Sequence, residues 1–160
     1  MIRIAIIILS LLIAACSGNQ PQNNPENAAI HCHVEGTVHN RPDSDKLLLF
    51  VGISGYTSQA TKPYAEIDIK NGKFAYEICI DEAQYCELIF EEEIQSGYWQ
   101  AIDFVADNND IKMELYPREE SGKNLIESAG STAEYQSYKI ALRELQDKTN
   151  KLRDELKSNG

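Results

Sequence analysis

The sequence predicts a mainly β domain, an antiparallel β-sandwich or open barrel of about seven strands, with one long C-terminal α-helix. Three observations carry that expectation. Short runs of alternating apolar and polar residues recur between residues 30 and 115, separated by turns rich in Asn, Asp and Gly. No crossover-length helical pattern lies among them, which argues against a parallel sheet. From Ser131 to Lys157 there is neither Gly nor Pro, and apolar residues recur at steps of three and four.

The chain has 160 residues, with 15 Lys and Arg against 25 Asp and Glu, a net charge of −10. That length fits one domain with a tail and excludes a large multi-domain enzyme. The negative balance argues against nucleic acid as a partner, because phosphate binding requires a basic surface. A hydrophobic content of 42% suffices for a core, and 4 Cys are too few for a disulfide-dense scaffold.

Residues 1–15 have the proportions of a signal peptide. Arg3 precedes Ile4 to Ile13, a stretch of uncharged residues in which only Ser10 is polar. As a helix it would span about 15 Å, roughly half a bilayer core. It ends Leu12-Ile13-Ala14-Ala15-Cys16, which resembles the lipobox of bacterial lipoproteins. The resemblance implies lipid attachment at Cys16; the bland alternative is an ordinary signal peptide with a chance Cys. Residues 16–29 lack apolar periodicity and read as a flexible tether. By lipoprotein sorting rules, Ser17 favours the outer membrane. The lack of an acidic run beside Cys16 favours the periplasmic face.

The first strand is expected over Ile30 to Val38. Ile30, Cys32, Val34 and Val38 share one face; His31, His33, Glu35 and Thr37 share the other. Residues 40–45 form a turn, Lys46 to Ile53 a largely apolar strand, and Gly55 to Pro63 a polar loop. Asn71-Gly72 is a strong two-residue hairpin signal. With it as the turn, Ile69, Ile67 and Ala65 oppose Phe74, Tyr76 and Ile78. A second hairpin is expected between the strands ending at Ile80 and starting at Tyr85. Pairing Ile80 with Tyr85 would place Cys79 beside Cys86 but turn Glu87 and Glu91 toward the core. Pairing Ile80 with Cys86 sends the carboxylates outward and the two cysteines to opposite faces, and is preferred because buried unpaired charge is costly. A third hairpin, turning at Asn108-Asn109, opposes Ala106, Phe104 and Ile102 with Ile111, Met113 and Leu115. Asp107 and Asp110 flank that turn but fall short of the ligand count calcium needs.

The helix is expected to begin at Ser131, with Glu134 completing a capping box. Tyr135, Tyr138, Leu142, Leu145, Thr149, Leu152 and Leu156 form a heptad stripe weakened at Thr149. Three readings fit: a helix whose first half lies on the sandwich and whose remainder frays, self-association through residues 135–156, or a linker to a further domain. Residues 16–130 hold 8 basic and 20 acidic residues, whereas 131–160 hold 6 and 5.

Residues that could carry chemistry are few. His31 and His33 share a face with Glu35 while Cys32 points the other way, so they read as surface histidines on an edge strand and no metal site is expected. Cys32 and Cys86 both point inward, as core residues or as a disulfide. There is no Cys-x-x-Cys for dithiol chemistry. Glu91-Glu92-Glu93 reads as a solvated strand end. Tyr98 and Trp99 are the candidate binding surface, Trp99 being either exposed for recognition or packed under the helix. No catalytic residue and no cofactor is expected.

Glu35-Gly36-Thr37-Val38, Asn71-Gly72-Lys73-Phe74-Ala75-Tyr76, Phe104-Val105-Ala106-Asp107-Asn108-Asn109-Asp110-Ile111 and Gly130-Ser131-Thr132-Ala133-Glu134-Tyr135 together resemble a domain of unknown function in Gram-negative lipoproteins. That domain sits N-terminal to the thioredoxin-like, peroxiredoxin-type domain of thiol–disulfide oxidoreductases. The thioredoxin-like domain is missing from this sequence, so no catalytic residue carries over. The resulting expectation is a non-enzymatic cell-envelope lipoprotein. Cys16 anchors it to the membrane, residues 30–130 form a sandwich that binds a protein or small-molecule partner, and residues 131–160 form a helix for docking or dimerisation. The alternative is an accessory or truncated module of a thiol–disulfide oxidoreductase system.

Overall fold

A computed structural model describes residues 28–52 and 62–158. The signal segment 1–15, Cys16, most of the tether and most of the Gly55 to Pro63 loop lie outside the described residues. The strands are β1 (Ile30–Val38), β2 (Lys46–Val51), β3 (Ala65–Asp68), β4 (Lys73–Ile80), β5 (Gln84–Phe90), β6 (Ile102–Ala106), β7 (Ile111–Leu115) and β8 (Leu125–Glu127). A short helix α1 (Glu91–Gln95) follows β5, a 3₁₀ segment (Arg118–Lys123) precedes β8, and α2 (Gly130–Ser158) ends the described chain. The fold is mainly β, as the alternation of side chains predicts.

Two four-stranded sheets form, in the orders β4-β1-β7-β8 and β3-β2-β5-β6. Cys32, Val34, Ile78, Ile111 and Met113 from the first sheet meet Leu47, Leu49, Leu88 and Phe104 from the second in one buried cluster. This is a sandwich: each sheet turns its apolar alternate positions inward. Of the pairings among described strands, only β1 with β7 is parallel.

The three expected hairpins are not hairpins. β3 and β4 lie in different sheets, as do β4 and β5, and β6 and β7. Each reversal carries the chain across the core, an arch rather than a ladder. At Asn71-Gly72 the tight turn itself is present. Both residues have positive φ, 54° and 70°, and Lys70 and Lys73 exchange backbone hydrogen bonds. One bridge forms and then the strands part. The coincidence of apolar sets that suggested hairpins is satisfied equally by an arch, because both arms still point their apolar faces into the same core. Neither expected register of β4 with β5 exists. Cys79 lies on the outer side of one sheet and Cys86 in the core of the other. Cys32 and Cys86 are free thiols.

β1 is not an edge strand, since β4 and β7 flank it. In the second sheet β3 and β6 are the edge strands, and α2 is fastened along the open side of β6.

Candidate functional site

The start of α2 is fastened to β6 by polar contacts. Thr132 is fully buried; its hydroxyl donates to the Val105 carbonyl (2.6 Å) and accepts from the Val105 N–H (3.0 Å). One side chain thus occupies a donor and an acceptor that an edge strand leaves open to pairing. Gln136 Nε2 donates to the Asp103 carbonyl (2.9 Å). Lys139 and the Tyr135 hydroxyl both reach the Asp103 carboxylate.

The cap at the head of α2 comes from the β6–β7 turn rather than from the expected capping box. Asp107 Oδ2 accepts from the Ser131 N–H (2.8 Å), and Oδ1 accepts from the Asn109 backbone and side chain. Burial raises the Asp107 pKa, but the Ser131 and Asn109 hydrogen bonds outweigh it and leave the carboxyl below its ordinary value. Gly130 makes the approach geometrically feasible. Its φ is +59°, and a Cβ there would lie 2.6 Å from Asp107 Oδ2 and 2.3 Å from Asn109 Nδ2.

Beyond Lys139 the helix leaves the sandwich. Every described residue from 140 to 158 is exposed, so about 28 Å of helix stands in solvent. Tyr138, Leu142, Leu145, Leu152 and Leu156 are 62%, 39%, 61%, 61% and 77% exposed. They are the predicted heptad stripe, exposed and without a partner among the described residues. The stripe lies about a third of a turn around the helix from Thr132, Gln136 and Lys139, so a second helix can lie along it without displacing the sandwich. Its first member, Tyr135, is the exception: it packs edge-on against Tyr85, with ring centroids 5.9 Å apart.

Between α2 and β5 lies a carboxylate that the sequence placed in solvent. Glu87 does point away from the main core, yet it is only 3% exposed. The Tyr85 hydroxyl donates to Oε1 (2.8 Å), while Oε2 has no hydrogen-bond partner among the described residues. Burial and the bond to Glu87 both push the Tyr85 phenol pKa upward.

Glu91, Glu92 and Glu93 are not a solvated strand end. They open α1, where Glu92 and Glu93 clamp the Arg41 guanidinium, which stacks 3.6 Å over the Phe90 ring. Glu93 Oε2 also accepts from the Gln100 N–H (2.8 Å). Arg41 and Glu93 side chains are each 10% exposed, so the role is structural. The open cleft that adjoins them, lined by Arg41, Glu93, Gln100 and Arg118, is far too small to enclose a small molecule.

Tyr98 and Trp99 separate. Tyr98 is 69% exposed and carries Arg118 4.4 Å over its ring. Trp99 is half-buried against a second small core of Leu48, Phe50 and Ile89. Ile94 of α1 and Ala101 pack on the same small core, and no residue of α2 belongs to it. Cys32 and Cys86 lie in the main core, where burial pushes each thiol up to about 12.

No protein-family model, curated protein or solved structure matches the chain. Among the described residues no helix is long and apolar enough to cross a membrane.

Proposed function

We propose that this is a non-catalytic, lipid-anchored envelope protein that presents α2 as a docking helix for another protein. The observation that carries the reading is the exposed leucine stripe on the projecting half of α2. A free-standing helix gains no stability from packing, so leucines along one face serve no purpose for the monomer. They supply the apolar seam that a partner helix buries. The reading places the anchor at Cys16, on the cell-envelope side the lipobox resemblance implies, with the sandwich as the rigid base that holds the helix.

Charge selects the occupant. In the heptad frame, Lys148, Arg153 and Glu155 flank the projecting seam, a net positive edge. Two copies in parallel register would set Lys148 beside Arg153, and antiparallel copies aligned at residue 147 would set Lys148 against itself. Like charges there oppose self-pairing. The fitting partner is an amphipathic helix from a different chain, with apolar core positions and acidic flanks.

The test uses two synthetic helices with leucine core positions, one flanked by Glu and one by Lys, titrated against the full chain. Lys148 and Arg153 favour the Glu-flanked peptide and Glu155 opposes it, at about 1 kcal/mol per position, so the Glu-flanked peptide binds about fivefold more tightly. Leu145→Glu with Leu152→Glu abolishes that binding while leaving the unfolding midpoint in place. Equal binding of both peptides, or binding that survives the double substitution, overturns the proposal. Anchoring is tested separately: Cys16→Ser releases the protein from the membrane fraction, and retention there contradicts the anchor.

A further inference from the structure

The outer face of the first sheet gathers four metal-ligating side chains that the sequence keeps far apart. The β1–β4 register sets His31 opposite Cys79 and His33 opposite Glu77. Alternate residues share a face, so all four stand on the solvent side as a two-by-two patch. His31 Nδ1 lies 3.7 Å from Cys79 Sγ and 3.8 Å from Glu77 Oε1. His33 Nδ1 lies 3.3 Å from Glu77 Oε2. Around a tetrahedral zinc ion with ordinary bond lengths, neighbouring donors sit about 3.3–3.6 Å apart. The donors here are already close to that spacing. We propose that His31, His33, Glu77 and Cys79 form a zinc-binding site on the outer face of the sandwich.

As they stand, no three or more His, Cys, Asp or Glu side chains among the described residues are set to hold an ion. The patch is therefore assembled but not closed. Its His and Glu side chains are 44–52% exposed, which leaves them room to rotate onto a common centre. Two imidazoles, one thiolate and one carboxylate are a donor set that suits zinc better than calcium or magnesium. Glu35 Oε2 lies 3.9 Å from His33 Nε2, on the far side of that ring from Glu77, placed to hold the imidazole orientation. Coordination takes the Cys79 proton off to solvent, so affinity rises with pH. The buried thiols of Cys32 and Cys86 point into the core and do not compete.

The experiment uses the full chain carrying Cys16→Ser, reduced and freed of metal. Zinc is titrated calorimetrically, and cobalt serves as the spectroscopic stand-in. One zinc ion binds per chain, and His31→Ala or His33→Ala weakens it by at least about tenfold. Cobalt gives a thiolate charge-transfer band that Cys79→Ser removes and His39→Ala leaves intact. Zinc also slows alkylation of Cys79. All of these positions are at least partly solvent-facing, and a cooperative unfolding curve checks that each variant folds. The proposal is overturned by the lack of saturable zinc binding in the parent chain. It is equally overturned by a cobalt band that survives Cys79→Ser, since the four groups would then be ordinary cross-strand polar pairs.

Discussion

Replacing Thr132 with Val keeps the shape of the side chain and removes its hydroxyl. In the parent chain that hydroxyl serves both the N–H and the carbonyl of Val105, under a side chain with no solvent exposure. Valine leaves a donor and an acceptor without partners, at about 1–3 kcal/mol each where water cannot replace the lost bond. Some water reaches the half-buried Val105, so the expected total is about 2–3 kcal/mol. For a domain of this size that lowers the melting temperature by roughly 8 °C. Thr132→Ser separates the two contributions, because it keeps the hydroxyl and loses one methyl, at about 0.8 kcal/mol. Urea unfolding of the three proteins measures the costs, and hydrogen exchange at the Val105 amide reports the local bond. Exchange there should accelerate in Thr132→Val and stay protected in Thr132→Ser. If Val costs no more than Ser, the helix is held by apolar contact and the hydroxyl bridge has been misread.

Three further perturbations test the same assembly. Gly130→Ala forces a side chain into the left-handed region against Asp107 and Asn109, and is expected to cost about 1–2 kcal/mol in urea unfolding. Arg41→Ala removes the charge partner of the buried Glu93 carboxylate, which keeps its bond from the Gln100 N–H, a loss of about 3–5 kcal/mol for a buried pair; loss of less than about 1 kcal/mol would show the clamp to be a surface pair. The Asp107 carboxyl sits below its ordinary value of 3.8, so its stabilisation is complete above that pH and fades as pH falls through the folded value. Stability of the parent should therefore converge on that of Asp107→Asn in acid, and curves that stay parallel down to about pH 2 would contradict the cap.

The inward set of every strand was readable because burial imposes a period of two, and Cys32, Val34, Phe74, Ile78, Phe104 and Met113 are all inside. What the alternation does not encode is which strand lies beside which. Ala106 and Ile111 face one core whether their strands pair or sit in opposite sheets, so hairpins and arches leave the same pattern. The partners of β1 depended on that missing information. With β4 wrongly paired, Cys79 could not be seen beside His31, and the histidines looked like isolated surface residues. The buried carboxylates escaped notice for a related reason. Glu87 and Glu93 lie on outward positions of β5 and α1 that become buried only when α2, Tyr85 and Arg41 pack over them. In α2 the stripe was legible from the heptad spacing, but Thr132, Gln136 and Lys139, which fasten the helix to β6, lie off it. Its cap was not, because Asp107 reaches the Ser131 N–H from another element.

Sedimentation equilibrium of the full chain, alone and with one equivalent of the Glu-flanked peptide, tests the docking role of α2 most directly. A single-chain mass alone, rising by one peptide in the mixture, is the predicted result. A two-chain mass without peptide, or a mass that the peptide leaves unchanged, would contradict it.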